Sequence, residues 1–133
     1  MIFVDSNVPM YLVGSPHPNK IAVEQTLTAL IARREKLVSD AEVLQEILHR
    51  YAAIGRLDAI QPAFDALFGL VDAIFSIESE SVQRAKTILL GKYHLSARDA
   101  IHLAVMAQHG VQQILSFDRG FDRYPNVRRI TTG

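Results

Sequence analysis

Two apolar runs of this sequence each end on a carboxylate, and this feature most constrains the fold. The chain opens with MIFVD, in which a run typical of a buried strand stops at Asp5. Near the other end, QQILSFD rises through Ile114 and Leu115 and stops at Asp118. Ligands of open parallel sheets collect at the carboxyl ends of the strands. Both acids are therefore predicted to meet at one edge of a sheet.

The rest of the chain alternates apolar runs with segments of helical period. The predicted strands are residues 1–5, KLVS, LVDAIFSI, QQILSF and VRRITT. The predicted helices are a short one capped by Ser6 or Asn7, then residues 20–35, 41–54, 57–68, 79–93 and 96–109. Strands interleaved with helices form a mainly parallel sheet that is covered on both faces. The pattern thus predicts an α/β fold, with residues 1–133 as a single domain.

Composition excludes several classes of protein. The 133 residues are 49% hydrophobic, and a chain of this length buries about two thirds of its unfolded surface. The chain has no cysteine, which rules out disulfides, thiolate catalysis and cysteine zinc sites and favours the cytoplasm. Asp5 interrupts the first apolar run before a signal peptide could develop, and no run approaches the length of a membrane span, so no membrane contact is expected.

The charges of the chain balance, with 14 basic and 14 acidic residues and a pI near 7.0. Any contact with nucleic acid must therefore rest on local patches. One local excess exists from residue 98 onward, where five arginines (Arg98, Arg119, Arg123, Arg128, Arg129) stand against three acids (Asp99, Asp118, Asp122).

Two further acids are predicted at the same edge of the sheet. Glu46 lies in the second turn of the helix after KLVS, and Asp99 lies in the first turn of SARDAIHLAVMAQHG. With Asp5 and Asp118 they make four carboxylates, each of which raises the pKa of the others. A divalent cation removes that repulsion. Oxygen ligands without cysteine or a histidine cluster favour a hard ion, Mg²⁺ or Mn²⁺.

Each acid also has a structural interpretation. SARD fits a capping box in which Asp99 reaches back to Ser96, and SDAE fits the same box with Ser39 and Glu42. We accept the second box and interpret Glu42 as structural, whereas Glu46 lies beyond capping reach. Asp5 and Asp118 could each only form a turn. If all four acids were only structural, their common position at one edge of the sheet would be a coincidence. We therefore favour the prediction that the four carboxylates form one site.

Four segments together resemble a PIN domain of the VapC toxin type. They are VDSNV, the acid in VLQEIL, LSARDAIHLAVM and ILSFDRGFD, and the resemblance spans nearly the whole chain. It implies a three-layer α/β/α fold and a Mg²⁺-dependent ribonuclease. It also implies a small antitoxin partner that holds the toxin inactive, and a homodimer.

The resemblance also assigns residues. The acidic quartet would be Asp5, Glu46, Asp99 and Asp118. Small polar positions beside the quartet are Ser6, Asn7 and Ser116. Asp122 matches a position where PIN domains vary, so the resemblance gives it no defined role.

Phosphodiester hydrolysis by metal-activated water fits these residues, because no Ser–His–Asp or Cys–His arrangement is visible. His102 lies three residues after Asp99 and is predicted to pack or to lie behind the ligands rather than act as a base. Arg98, Arg119 and Arg123 are candidates to hold RNA phosphates, or they neutralise the neighbouring acids.

The sequence can be compared with three alternative functions. A haloacid-dehalogenase phosphatase would need an Asp at position 7, where Asn7 stands. A receiver domain would need a lysine after a late strand, and Arg119 follows the last acid instead. The remaining alternative is a non-catalytic PIN-like module that binds RNA or a partner.

Overall fold

The structure is a computed structural model that describes residues 1–130. Its sheet contains five parallel strands, β1 (Ile2–Val4), β2 (Leu37–Asp40), β3 (Ala73–Phe75), β4 (Gln113–Leu115) and β5 (Arg128–Ile130). Six helices connect them, α1 (Asn7–Val13), α2 (Pro18–Ala32), α3 (Ala41–Ala53), α4 (Ile60–Leu70), α5 (Ser79–Leu90) and α6 (Ala97–Gln108). The predicted α/β/α fold with a parallel sheet is confirmed.

The strand order β3-β2-β1-β4-β5 places the first strand at the centre of the sheet. Phe3 is in register with Val38 of β2 on one side and with Ile114 of β4 on the other. The chain therefore builds one half of the sheet outward from β1 through β2 and β3, and the other half through β4 and β5. The point where the order reverses lies between β1 and β4, and such a point opens a crevice at the carboxyl ends of the strands.

The core lies around the central strands and α6. Phe3, Val4, Ile114 and Leu115 are fully buried, as expected for strands covered on both faces. Helix α6 contributes a run of buried residues from His102 to Met106. This burial explains why AIHLAVM is apolar almost throughout, with one histidine inside it. No helix within residues 1–130 is long and apolar enough to cross a membrane.

Several predicted segments differ from the structure in extent; the predicted 20–35 helix, for example, is Pro18–Ala32. The 57–68 helix begins as a 3₁₀ turn (Leu57–Ala59) before α4, and LVDAIFSI forms a strand only at Ala73–Phe75. Thr131 and Thr132, predicted to end the last strand, lie outside the described residues. The single-domain assignment of residues 1–133 stays a prediction.

The predicted Ser39–Glu42 capping box is wrong. Strand β2 continues through Asp40, so the helix starts one residue later than the box requires. Asp40 is the cap, and its Oδ1 accepts a hydrogen bond of 3.0 Å from Val43 N. The hydroxyl of Ser39 instead donates to Val4 O at 2.9 Å, across the β1–β2 pair.

Candidate active site

An open cavity of about 820 Å³ lies where the carboxyl ends of β1 and β4 meet α1, the second half of α3 and the start of α6. All four predicted acids line it: Asp5, Glu46, Asp99 and Asp118. Asp5 follows β1 directly, and its backbone N donates to Leu115 O at 3.1 Å, at the end of the neighbouring strand β4. The acids at the two ends of the chain therefore share one crevice because β1 and β4 are adjacent.

Asp5 is the buried member of the group, with 4% of its surface exposed. Ser6 N donates to Oδ1 at 2.8 Å, and the Ser116 hydroxyl donates to Oδ2 at 2.5 Å. Asn7 Nδ2 lies 3.2 Å from Ser116 Oγ and 3.5 Å from Asp5 Oδ2. Burial raises the pKa of Asp5 and the charge of Glu46 adds to the increase, while His102 and the hydrogen bonds oppose it.

Glu46 is held at both of its carboxylate oxygens. His102 Nε2 lies 2.7 Å from Oε1, and the Ser6 hydroxyl donates to Oε2 at 2.6 Å. Burial would raise the pKa of Glu46, but the hydrogen bond and charge of His102 outweigh it and lower that pKa. The predicted helix-capping role of Ser6 is thereby replaced: its hydroxyl makes no cap bond to α1 and contacts Glu46 instead.

His102 is fully buried between carboxylates. Its Nδ1 lies 2.8 Å from Asp40 Oδ2, and its Nε2 lies 3.9 Å from Asp5 Oδ1 in addition to the Glu46 contact. Burial alone would lower the pKa of His102, yet Asp40 and the hydrogen bonds to Asp40 and Glu46 raise it well above its usual value. The charged imidazolium, with both nitrogens donating, is the form that these neighbours favour.

Asp99 and Asp118 line the part of the cavity nearer to solvent. The Ser96 hydroxyl accepts from Asp99 N at 3.1 Å and caps α6, so the backbone of Asp99 serves the cap while its carboxylate lines the cavity. Burial, then the charges of Asp5 and Asp118, raise the pKa of Asp99 to about 7. Asp118 Oδ1 accepts from Gly120 N at 2.8 Å, so this acid also starts the turn that its sequence suggested.

Three side chains bring ligand atoms within 4.8 Å of one another: Asp5, Glu46 and His102. By distance alone these atoms could hold a metal ion, but a His102 Nε2 that donates to Glu46 Oε1 has no lone pair left for one. Asp99 and Asp118 share the cavity but lie outside this tightest group. The structure thus brings Asp5 and Glu46 to ligand distance of each other, and Asp99 and Asp118 line the same cavity, near enough for the charges of Asp5 and Asp118 to act on Asp99.

The remaining predicted residues divide between the cavity and its surroundings. Arg98 is exposed and lines the cavity. Arg119 and Arg123 lie in the turn after Asp118, and neither is among the lining residues; Arg123 Nη1 donates to His94 O at 2.7 Å. Asp122 accepts two hydrogen bonds of 3.0 Å from the Arg129 guanidinium, so its carboxylate is paired away from the acids.

Several lining residues were missed by the sequence analysis. Arg50 lies four positions after Glu46 on α3, a spacing that places both on one helical face and could have revealed it. Tyr11 and His17 also line the cavity, with ring centroids 5.2 Å apart. Asp40 gave no local signal, because its partner His102 lies 62 positions away.

A family model described as PIN domain matches residues 2–127 of the chain. The chain belongs to the PIN domain family. The predicted resemblance, drawn from four short segments, is confirmed, and the crevice between β1 and β4 is the acidic cavity of this PIN domain.

Two curated relatives support the same class of enzyme. The PIN domain is 55% identical over 130 residues to ribonuclease VapC13 of Mycobacterium tuberculosis, covering 98% of this chain and 99% of the relative. It is 36% identical over 118 residues to ribonuclease VapC23 of the same species, covering 89% and 93%. These relatives support the predicted class, a ribonuclease that hydrolyses phosphodiester bonds.

Solved structures of low sequence identity share the fold. VapBC2 of Rickettsia felis, solved bound to a promoter DNA fragment, has a TM-score of 0.74 at 15% identity and covers 98% of both chains. VapC20 of M. tuberculosis, a toxin described as cleaving the sarcin–ricin loop, has a TM-score of 0.71 at 20% identity and covers 94% and 95%. At these identities the likeness establishes the α/β/α fold alone.

The raised pKa of Asp99 predicts how stability varies with pH when no metal is bound. Because the folded pKa of about 7 exceeds the ordinary 3.8, the folded state binds more protons between these values, and stability should fall as pH rises through that window. Asp99→Asn removes this contribution. In EDTA, its unfolding midpoint should depend less on pH and should exceed that of wild type at pH 8.

Asp122→Asn is the matched control for this measurement. Its pairing with Arg129 lowers the pKa of Asp122, so this substitution should reduce the midpoint at pH 8. Thermal unfolding of the three proteins from pH 4 to pH 8 provides the comparison. An Asp99→Asn protein that is less stable than wild type at pH 8 in EDTA would contradict the predicted repulsion.

Proposed function

We propose that this PIN domain is a metal-dependent endoribonuclease that hydrolyses RNA with water, using Mg²⁺, which Mn²⁺ can replace. The observation that carries the proposal is the convergence of Asp5, Glu46, Asp99 and Asp118 on one cavity. The 55% identity to a ribonuclease over nearly the full chain supports the RNA substrate.

The donor set fits a hard cation. Carboxylate oxygens are the ligands that Mg²⁺ and Mn²⁺ prefer, and Asp5 and Glu46 already present theirs within 4.8 Å of one another. We assign metal binding to these two acids together with Asp99 and Asp118. When bound, the ion supplies an activated water and neutralises charge on the phosphate oxygens.

The surrounding side chains keep the acids in place before substrate arrives. Ser116 and Ser6 donate to opposite members of the group, Asp5 and Glu46, and Asn7 supports Ser116. These bonds give oxygens of Asp5 and Glu46 partners within the protein, which offsets the cost of removing them from water. This arrangement preorganises the carboxylates, which reduces the rearrangement needed when the phosphate binds.

The wall of the cavity offers groups suited to single-stranded RNA. Arg50 and Arg98 can bind phosphates, and the rings of Tyr11 and His17 provide a surface for an unstacked base. Because the chain has no net charge, these local groups must supply the attraction for RNA. We therefore propose that single-stranded segments or loops are cut.

One experiment separates an enzyme from a module that only binds RNA. The purified protein should cleave labelled loop-containing RNA in Mg²⁺ or Mn²⁺ and stop in EDTA, with activity restored when the ion is returned. Gel analysis of the products provides the measurement. Cleavage that continues in EDTA would overturn the metal-dependent mechanism, and RNA binding without any cleavage in either ion would favour the binding module.

A pair of glutamates on α3 tests the assignment of the acids. Glu46→Gln preserves the shape of the side chain but removes its charge, so the cleavage rate should fall by more than the roughly 10–100-fold typical of residues behind a metal. Glu42 lies one turn earlier and does not line the cavity. Glu42→Gln should cleave within about threefold of wild type; loss of activity in a folded Glu42→Gln protein would show that the wrong glutamate is assigned.

We also propose a small antitoxin as partner, acting in the cytoplasm on a homodimer of this chain. Several solved structures with the same fold are toxin–antitoxin complexes. An arginine from such a partner could pair with two carboxylates of the cavity, because its guanidinium donates in a planar fork. This contact would neutralise the acids and occupy the place of the metal.

Co-expression with the protein encoded beside this gene tests that partnership. The two chains should purify together, the complex should cleave RNA at least about tenfold more slowly than the free protein, and replacing the inserted arginine with alanine should restore cleavage. Light scattering of the free protein should give the mass of a dimer. A stable complex with full metal-dependent activity would contradict the proposed inhibition.

A further inference from the structure

A buried chain of hydrogen bonds runs from the end of β2 to the cavity. Asp40 and His102 are both fully buried, and neither lines the cavity. His102 Nδ1 lies 2.8 Å from Asp40 Oδ2, and Nε2 lies 2.7 Å from Glu46 Oε1. The imidazole thus connects a carboxylate that never meets solvent with one that faces the cavity.

If His102 and Asp40 served only to pack the core, burying them would cost free energy. The neighbours of His102 on α6 (Leu103, Ala104, Val105 and Met106) are buried and apolar, so an apolar side chain at position 102 would suit the core. A buried histidine and a buried carboxylate are tolerated only when they are hydrogen-bonded to each other or to further partners. The partner at the far end of this chain is Glu46, one of the acids assigned to the metal.

Asp40 is itself anchored. Its Oδ1 accepts from Val43 N at 3.0 Å as the N-terminal cap of α3, so its carboxylate is fixed to the same helix that carries Glu46. The ring of His102 is held on one side by this anchored carboxylate and lies beside Phe3, with ring centroids 5.2 Å apart. A ring fixed in this way presents Nε2 to Glu46 in one orientation.

Glu46 needs such support because its side chain is long. A glutamate on a helix surface samples many rotamers, and ordering it costs conformational entropy when the ion binds. Here His102 holds Oε1 and Ser6 holds Oε2. His102 Nε2 also lies 3.9 Å from Asp5 Oδ1, so the same ring faces both acids of the tightest group.

We infer that Asp40 and His102 are positioning residues that orient the Glu46 carboxylate for metal binding, an inference that rests on the proposed function. Asp40 acts through His102 and touches neither metal nor RNA. Residues that orient metal ligands from behind commonly change metal affinity or activity 10–100-fold when mutated.

Substitutions at Asp40 separate positioning from helix capping. Asp40→Ser keeps an N-cap acceptor for Val43 N, but its hydroxyl is too short to replace the carboxylate beside His102. Asp40→Asn keeps the cap and an amide oxygen within reach of Nδ1, without the charge. The control for lost stability is Ser81→Ala, which removes the 2.8 Å hydrogen bond from Ser81 to Gln108 at the α5–α6 contact and the bond from Glu78 N in the cap of α5, away from the cavity.

The experiment compares four proteins: wild type, Asp40→Ser, Asp40→Asn and Ser81→Ala. For each we measure Mn²⁺ affinity by titration calorimetry, kcat and KM for RNA cleavage, and the midpoint of thermal unfolding. Asp40→Ser should bind Mn²⁺ about tenfold or more weakly and lose kcat with KM for RNA unchanged within about twofold. Asp40→Asn should fall between Asp40→Ser and wild type. Ser81→Ala should lose stability while Mn²⁺ affinity and kcat stay at wild-type values.

Unchanged Mn²⁺ affinity in Asp40→Ser would overturn the inference, and so would equal losses of affinity in Asp40→Ser and Ser81→Ala. If Asp40→Ser does not fold, Asp40→Asn decides, and wild-type Mn²⁺ affinity in that protein overturns the inference. The calorimetric arm needs no RNA. A wild-type protein that binds Mn²⁺ in an Asp40-dependent way but cleaves no RNA would refute the proposed function and leave the positioning role supported.

Discussion

The parallel pairing of β1 with β4 is the constraint on which the rest of the site depends. It ties Asp5 N to Leu115 O and brings Ser116 against Asp5, although the two side chains are 111 positions apart in the sequence. Ser116 Oγ in turn accepts from Asp118 N at 3.0 Å, so one hydroxyl links the acids that follow the two strands. The acids that follow β1 and β4 therefore lie together because these two strands are paired.

Electrostatic repulsion opposes this assembly, and the protein offsets it unevenly. Around the buried acids the compensation comes from serine hydroxyls, a backbone amide and the His102 ring, which meet the oxygens of Asp5 and Glu46; the pKa of Glu46 is lowered, although burial still raises that of Asp5. Toward solvent the compensation is weaker, and the pKa of Asp99 rises to about 7. Unrelieved repulsion from Asp5 and Asp118 therefore remains at Asp99. In the proposed function, a cation is what relieves it.

Sequence reasoning succeeded where the signal was local. Apolar runs that end on Asp5 and Asp118 predicted their meeting because parallel strands align their carboxyl ends, and helices that start at that edge placed Glu46 and Asp99 nearby. It failed where one local pattern has two interpretations and only a contact with another element of the fold decides between them. The hydroxyl of Ser39 reaches Val4 rather than its own helix, and Asp122 pairs with Arg129 seven positions on, in β5. The Asp40–His102 contact joins β2 to α6 and leaves no periodicity to detect.

These contacts divide the cavity into two parts. The inner part surrounds Asp5 and Glu46, which hydrogen bonds hold in place, and the more exposed outer part surrounds Asp118 and Arg98. Asp5, Glu46 and His102 are fixed by hydrogen bonds from four different segments of the chain, whereas Asp118 and Arg98 project from segments that face solvent. A substrate must approach through the outer part, where Arg50, Arg98 and Tyr11 lie. In the proposed enzyme, the inner part accordingly sets where the ion binds. The outer part, which is more exposed, is where the proposed enzyme would first contact RNA.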